Sequence, residues 1–190
     1  MRKWIASETR ESVFLAADFY TEKHTYSLLL NYHQSGAEKD VFLISDDEVV
    51  AVFRRSLRGK TLEDKIVWLA YLKNKLDIPV VPIKKKGKIS ISNEHDKIYP
   101  AIIMLFYPAH SKEICTISGG EVAYELDLDR MDIIKKWCDE NSLASLNAIQ
   151  KALKKAKAAV MDLQFLIDWD GSFVVNDPAG LILKNDCESN

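Results

Sequence analysis

Apolar residues recur along this chain with two different spacings, and the change from one to the other divides it. In the first part, short apolar runs alternate with polar turns. Ser12 to Phe19 is apolar and periodic, Tyr26 to Tyr32 suits a strand, and VFLIS and VVAVF flank the acidic turn Asp46-Asp47-Glu48, a hairpin signal. Three strands joined by two turns are expected to open the protein. Thr61 to Leu76 sets Leu62, Ile66, Leu69, Leu72 and Leu76 at helical spacing, with Thr61 as N-cap and acids in the first turn. Pro79 and Pro82 then bracket a short apolar piece. The basic run Lys84 to Lys88 reads as a solvated hairpin tip, a phosphate-binding patch being the other reading. Ile98 to Tyr107 predicts a further strand.

From Asp127 onward the spacing turns helical. Met131, Ile134 and Trp137 mark a helix over 129–141, and Leu143, Leu146, Ile149, Leu153, Ala156 and Val160 mark a second over 142–161. Trp68 and Trp137 fall on these patterns as core residues. The shift near Pro108 to Lys112 is the candidate lobe boundary, with 1–108 strand-rich apart from the helix at 61–76, and 109–190 mainly helical.

Composition narrows the partners. With 190 residues, 47% hydrophobic and 28% charged, the chain can bury a sizeable core, and a formal charge of −2 gives no general attraction to nucleic acid or an anionic membrane. Cys115, Cys138 and Cys187 are odd in number and form no C-x-x-C, so a reducing compartment is expected, and the N-terminal MRKWIASETRES has no apolar core of signal-peptide length. His24, His33, His95 and His110 show no ligand spacing. Metalloenzyme and hydrolase chemistry is therefore not indicated.

One stretch carries chemistry. Gln164 to Gly180 reads QFLIDWDGSFVVNDPAG, two apolar runs joined at Asp170-Gly171 and ended by Asp177-Pro178, which as plain structure is a good β-hairpin. The spacing of amide, turn glycine and terminal acid also resembles the catalytic stretch of protein kinases, where N-L-L-I-D-x-x-G leads into a strand ending in D-F-G. Gln164 falls on the metal-binding Asn, Gly171 on the turn glycine and Asp177 on the metal-binding Asp, with Pro178-Ala179 in place of Phe-Gly. Phosphoryl transfer needs metal-binding oxygens near the phosphates and a carboxylate near the incoming hydroxyl. Asp162, two residues before Gln164, is the candidate for that carboxylate.

The M-D-L-Q-F-L-I-D wording, the abbreviated catalytic loop and the small size resemble the HopBF-type minimal protein kinases, bacterial effectors delivered into host cells. The resemblance implies an α+β, minimal bilobal kinase-like fold with a strand-rich N-lobe and a reduced helical C-lobe carrying the catalytic hairpin 162–180. It implies ATP with Mg or Mn, a protein substrate such as a host chaperone, a monomer, and residence in the cytoplasm or, after secretion, in a host cytosol; neither nucleic acid nor membrane is implied as a partner. In Gln34 to Leu43, Gly36 would cover the phosphates, a plain β-turn being the other reading. The strand EVVAVFRRS would bring the phosphate-contacting Lys; here that position holds Ala51 or, in a different wording, Arg54, and the two arginines could equally cap the strand. Glu63 or Asp64 would partner such a Lys, or simply serve the helix dipole. Met104 to Pro108, Phe106 among them, would line the adenine. The missing Lys makes a pseudokinase the main alternative, and a small-molecule phosphotransferase is a third. Only 13 residues follow Asp177, so no activation segment or peptide platform is expected.

Overall fold

A computed structural model describes residues 14–35, 39–54, 62–94, 97–107, 116–123, 139–168, 170–177 and 181–183. The contact pattern forms two units, one of residues 1–59 with 82–106, the other of 60–81 with 107–190.

The first unit is a closed antiparallel barrel of six strands: β1 (Phe14–Tyr20), β2 (Thr25–Ser35), β3 (Lys39–Leu43), β4 (Glu48–Phe53), β5 (Ile83–Ile91) and β6 (Ile98–Leu105). Its order is β1-β2-β3-β4-β6-β5, and β5 returns to β1 through Ala17↔Ile91 and Tyr20↔Lys88. Alternate residues fill the interior, among them Phe19, Leu30, Phe42, Val50, Ile89 and Ile103. β4 departs from alternation: Val49 through Phe53 are all buried. Such burial on both faces is why VVAVF reads as a continuous apolar run.

The run Lys84 to Lys88 lies within β5 and is not a hairpin tip. Strand pairing on both sides accounts for the difference, with β5 joined to β6 along its length and to β1 at the barrel seam. Lys84, Lys86 and Lys88 stand out to solvent, while Lys85 sits 4.9 Å above the Tyr26 ring. Gly87 allows a close approach at the seam, because a Cβ there would collide with the Tyr20 carbonyl oxygen and come 3.0 Å from Phe19 Cζ. Gly87→Ala is therefore expected to part β1 from β5 and to cost about 2–3 kcal/mol, as overpacking does at rigid sites. A denaturant midpoint unchanged from wild type would show that the seam yields freely.

The second unit holds two described helices. α1 (Leu62–Leu76) buries Leu62, Leu69 and Leu72 as its spacing predicts, together with Lys65, which falls on the same face three residues after Leu62 and four before Leu69. This helix, expected with the strand-rich part, is grouped with the later residues, and the chain following it bonds to them: Val81 N–H donates to Val175 O (3.0 Å) and Val175 N–H to Pro79 O (2.9 Å). α2 (Glu140–Lys155) begins at Asp139, whose carboxylate accepts the Ser142 N–H, and buries Leu146, Ile149 and Leu153. The helix expected over 129–141 lies outside the described residues apart from its last three.

The second helix stops six residues before the expected Met161. Lys157 takes the left-handed conformation at φ 53, and β8 (Ala158–Ile167) starts directly after it. No glycine or proline marks that stop. Pairing of β8 with β7 (Thr116–Ala123), β9 (Phe173–Asp177) and β10 (Leu181–Leu183) outweighs the helical preference of its alanines and Met161. The strand β7 was not anticipated.

Candidate functional site

The hairpin β8–β9 forms where the apolar runs predict it. Its turn uses the expected chemistry: Gly171 has φ +84, Gly171 N–H donates to Asp168 O (2.9 Å), and Asp170 Oδ1 accepts the Ser172 N–H (2.9 Å). These bonds, the backbone one first, hold the Asp170 carboxyl below its usual range. The ladder runs Ile167↔Phe173, Leu166↔Val174 and Phe165↔Val175, then shifts by one residue so that Gln164 stands opposite Asp177.

Asp162 and Gln164 sit within a strand and not on a loop. β8 is the shared strand of this sheet, with Asp162 opposite Ser118 and Gln164 opposite Thr116 on the β7 side. Its other edge is divided between β10, which pairs residues 158–160, and β9, which pairs residues 164–167. Asp162 falls in the interval between those two ladders, adjoining the Gln164–Asp177 pair. The backbone thus brings three of the predicted residues to one point of one sheet. A β-bulge of this kind is a common device for re-aiming a residue next to a functional site.

The other predicted residues lie in the barrel or outside the description. Gly36 is outside the described residues. Ala51 is fully buried in β4, opposite Val41 and Ile102, on the strand face that points away from Val50 and Val52 in the barrel core. Phe106 N–H donates to Asp47 O (2.9 Å), and its ring meets the His33 ring edge-on at 5.2 Å. Beyond it, burial first and the charge of Asp168 second push the Tyr107 phenol up to about 12.

Arg54 is engaged by acids of the barrel. Its Nε–H donates to the buried carboxylate of Asp40, Nη1 lies 3.1 and 3.0 Å from the two Glu94 oxygens, and the guanidinium sits 4.8 Å over the Tyr99 ring. These contacts form a partly buried ion pair at the end of β4. Partial burial opposes the charge on Glu94, but hydrogen bonds from Tyr99 and Arg54, with the charges of Arg54 and Lys97, outweigh it and hold the carboxyl below its usual range. Because the folded value is the lower one, the stabilisation is complete above the ordinary glutamate range and is lost as pH falls through the lowered value. Glu94→Gln should therefore be less stable than wild type at neutral pH, and the gap should close in acid below about pH 4.5. Urea melts at several pH values check this; a gap independent of pH would remove the ion pair from the account.

Among the described residues no cluster of three or more His, Cys, Asp or Glu could hold a metal ion, and no helix is long and apolar enough to cross a membrane. Residues 5–190 match the family described as the type III secretion system effector HopBF1 kinase domain. This chain belongs to that effector kinase family. The comparison with curated proteins returned no match. Membership points to kinase chemistry, with a nucleotide and a divalent metal as its general requirements and a protein as its general class of substrate, and to delivery by a type III secretion system. Within such a domain, the residues read from sequence as the metal pair are those facing each other across β8 and β9. The signal that sequence reasoning missed is the strand character of 158–163, visible in hindsight as A-A-V-M-D-L leading without a break into the apolar FLI.

Proposed function

We propose that this protein is a minimal protein kinase using ATP and magnesium, or manganese, to phosphorylate a Ser, Thr or Tyr hydroxyl of a host protein. A reduced bilobal kinase fold goes with this reading, the two units serving as its lobes, and so does action as a monomer in the cytosol of the target cell. The observation that carries it is the backbone register of Gln164 and Asp177, read together with family membership. The amide oxygen of Gln164 and the carboxylate of Asp177 would make a hard, oxygen-only donor set suited to magnesium and poorly suited to softer ions. When bound, the cation neutralises charge on the β- and γ-phosphates.

The chain's own contribution is positioning and one proton. Asp162 accepts the proton of the attacking hydroxyl, Asp177 and Gln164 offer the oxygens, and Gly36 lets backbone approach the phosphates. Phe106 borders the adenine. The substrate implied by the resemblance is a host heat-shock chaperone.

A second reading, a pseudokinase, is favoured by one observation: Ala51 is buried and without charge, and Arg54, the nearest cation in sequence, is committed to Asp40 and Glu94. The experiment separates the two. The full chain is melted with and without ATP and magnesium, then incubated with labelled ATP and a host lysate. A thermal shift with transfer of label supports the kinase, a shift without transfer supports a nucleotide-sensing pseudokinase, and no shift removes nucleotide binding altogether.

A further inference from the structure

The first turns of α2 bind the backbone of the β8–β9 turn at three successive points. Asn141 Nδ2 donates to Asp170 O (3.2 Å), the Ser142 hydroxyl lies 2.6 Å from Gly171 O, and the Ser145 hydroxyl accepts the Phe173 N–H (3.0 Å). Ser142 is buried, and its hydroxyl is also 3.1 Å from Asp139 Oδ1, the cap that holds its own N–H. Helix start and hairpin turn therefore share one hydrogen-bonded group. The partners on the hairpin side are all main-chain atoms, so the helix fixes where the strand begins and not merely which side chains flank it.

That starting point decides a register. From Phe173 the ladder counts three ordinary pairs and then the bulge that places Asp177, and not Asn176, opposite Gln164. Val175, the last residue before the bulge, is bonded on its other edge to Pro79 and Val81. β9 is thus pinned at Phe173 by α2 and at Val175 by the segment after α1, and the irregular step lies just beyond the second pin. A slip of one residue would exchange the acid for an amide and reverse every side chain of a five-residue strand.

We infer that Ser142 and Ser145 are positioning residues for the metal pair, holding β9 in the register that sets Asp177 across from Gln164; what the pair binds rests on the kinase reading above. Both act through the hairpin backbone. The test compares the full-length wild type with Ser145→Ala, with Ser145→Thr, which keeps the hydroxyl, and with Ile149→Val, which loosens the same helix while leaving its hydrogen bonds to the hairpin in place. Amide exchange over β9 and manganese binding in the presence of a non-hydrolysable ATP analogue are measured for each.

Ser145→Ala is expected to speed β9 exchange relative to Ile149→Val and to raise the manganese half-saturation about tenfold relative to it, the size usual for partners that orient metal ligands. Ser145→Thr should restore most of both. Values for Ser145→Ala equal to those of Ile149→Val would overturn the inference, since loss of helix stability would then explain everything. If the wild type itself neither binds manganese with the analogue nor transfers label, the kinase reading fails, and β9 exchange by itself still decides whether the serines hold the register.

Discussion

Asp177→Ala is expected to lower phosphoryl transfer by about a hundred- to a thousandfold while leaving the melting temperature close to that of wild type. The size follows from removing one preorganised charge from a site where transferred charge must be stabilised. The preserved fold follows from the ladder, because Gln164 and Asp177 pair through their main chains and alanine keeps those groups. Asp177→Asn retains an oxygen and loses the charge, so it should fall between the two, with recovery at raised metal concentration. Equal labelling of substrate by wild type and Asp177→Ala would sink the assignment of this residue, whatever the source of the activity. Asp162→Asn is the companion measurement: a residue that takes a proton should change the transfer rate at saturating ATP and metal more than it changes their half-saturation.

The second large effect is on stability. Gly171→Ala faces two penalties at once. A left-handed φ of +84 costs a residue with a Cβ about 1–3 kcal/mol. The added Cβ would also stand 2.7 Å from Asp139 Oδ1 and 2.9 Å from Oδ2. That carboxylate is not free to swing aside, because Asp139 Oδ1 holds the Ser142 N–H at 3.0 Å as the cap of α2. A total loss of about 2–4 kcal/mol is expected, enough to unfold a marginal domain. Asp139→Ala removes the obstacle at the expense of the cap, so adding Gly171→Ala to it should cost less than in the wild type. Chemical denaturation of the four proteins of this cycle provides the check. Additive losses would mean that the glycine is needed for its φ alone.

The sequence made the hairpin legible for a physical reason: turn residues and strand alternation are local, and Asp170-Gly171 joins two runs close enough in the chain to pair directly. The apolar runs VVAVF and AIIML were legible as strands on another ground, since a short continuous apolar run suits a strand buried on both faces. The lysine run misled because charge was taken as a sign of a turn, whereas in β5 every second residue from Lys84 to Lys88 points to water and one of the two pairing partners, β1, is distant in the chain. The end of α2 was illegible because a lysine occupies the left-handed position that glycine usually marks. The pair proposed to hold metal could be picked out from spacing, but its one-residue bulge could not, since nothing in FVVND says which residue the ladder will skip. The helix clasp was hidden for a similar reason: Asn141, Ser142 and Ser145 look like ordinary N-terminal helix residues until the hairpin they hold is in place.

The seam between β1 and β5 also bears on how the protein reaches its native state. It joins Ala17–Tyr20 to Lys88–Ile91, segments roughly seventy positions apart, so the chain pays most of a long loop's closure entropy before this pairing returns anything. The hairpins β2–β3 and β3–β4 can form early from neighbouring segments. Barrel closure is then the late event in folding, and substitutions at Gly87 should act on the rate of unfolding far more than on the rate at which the hairpins assemble.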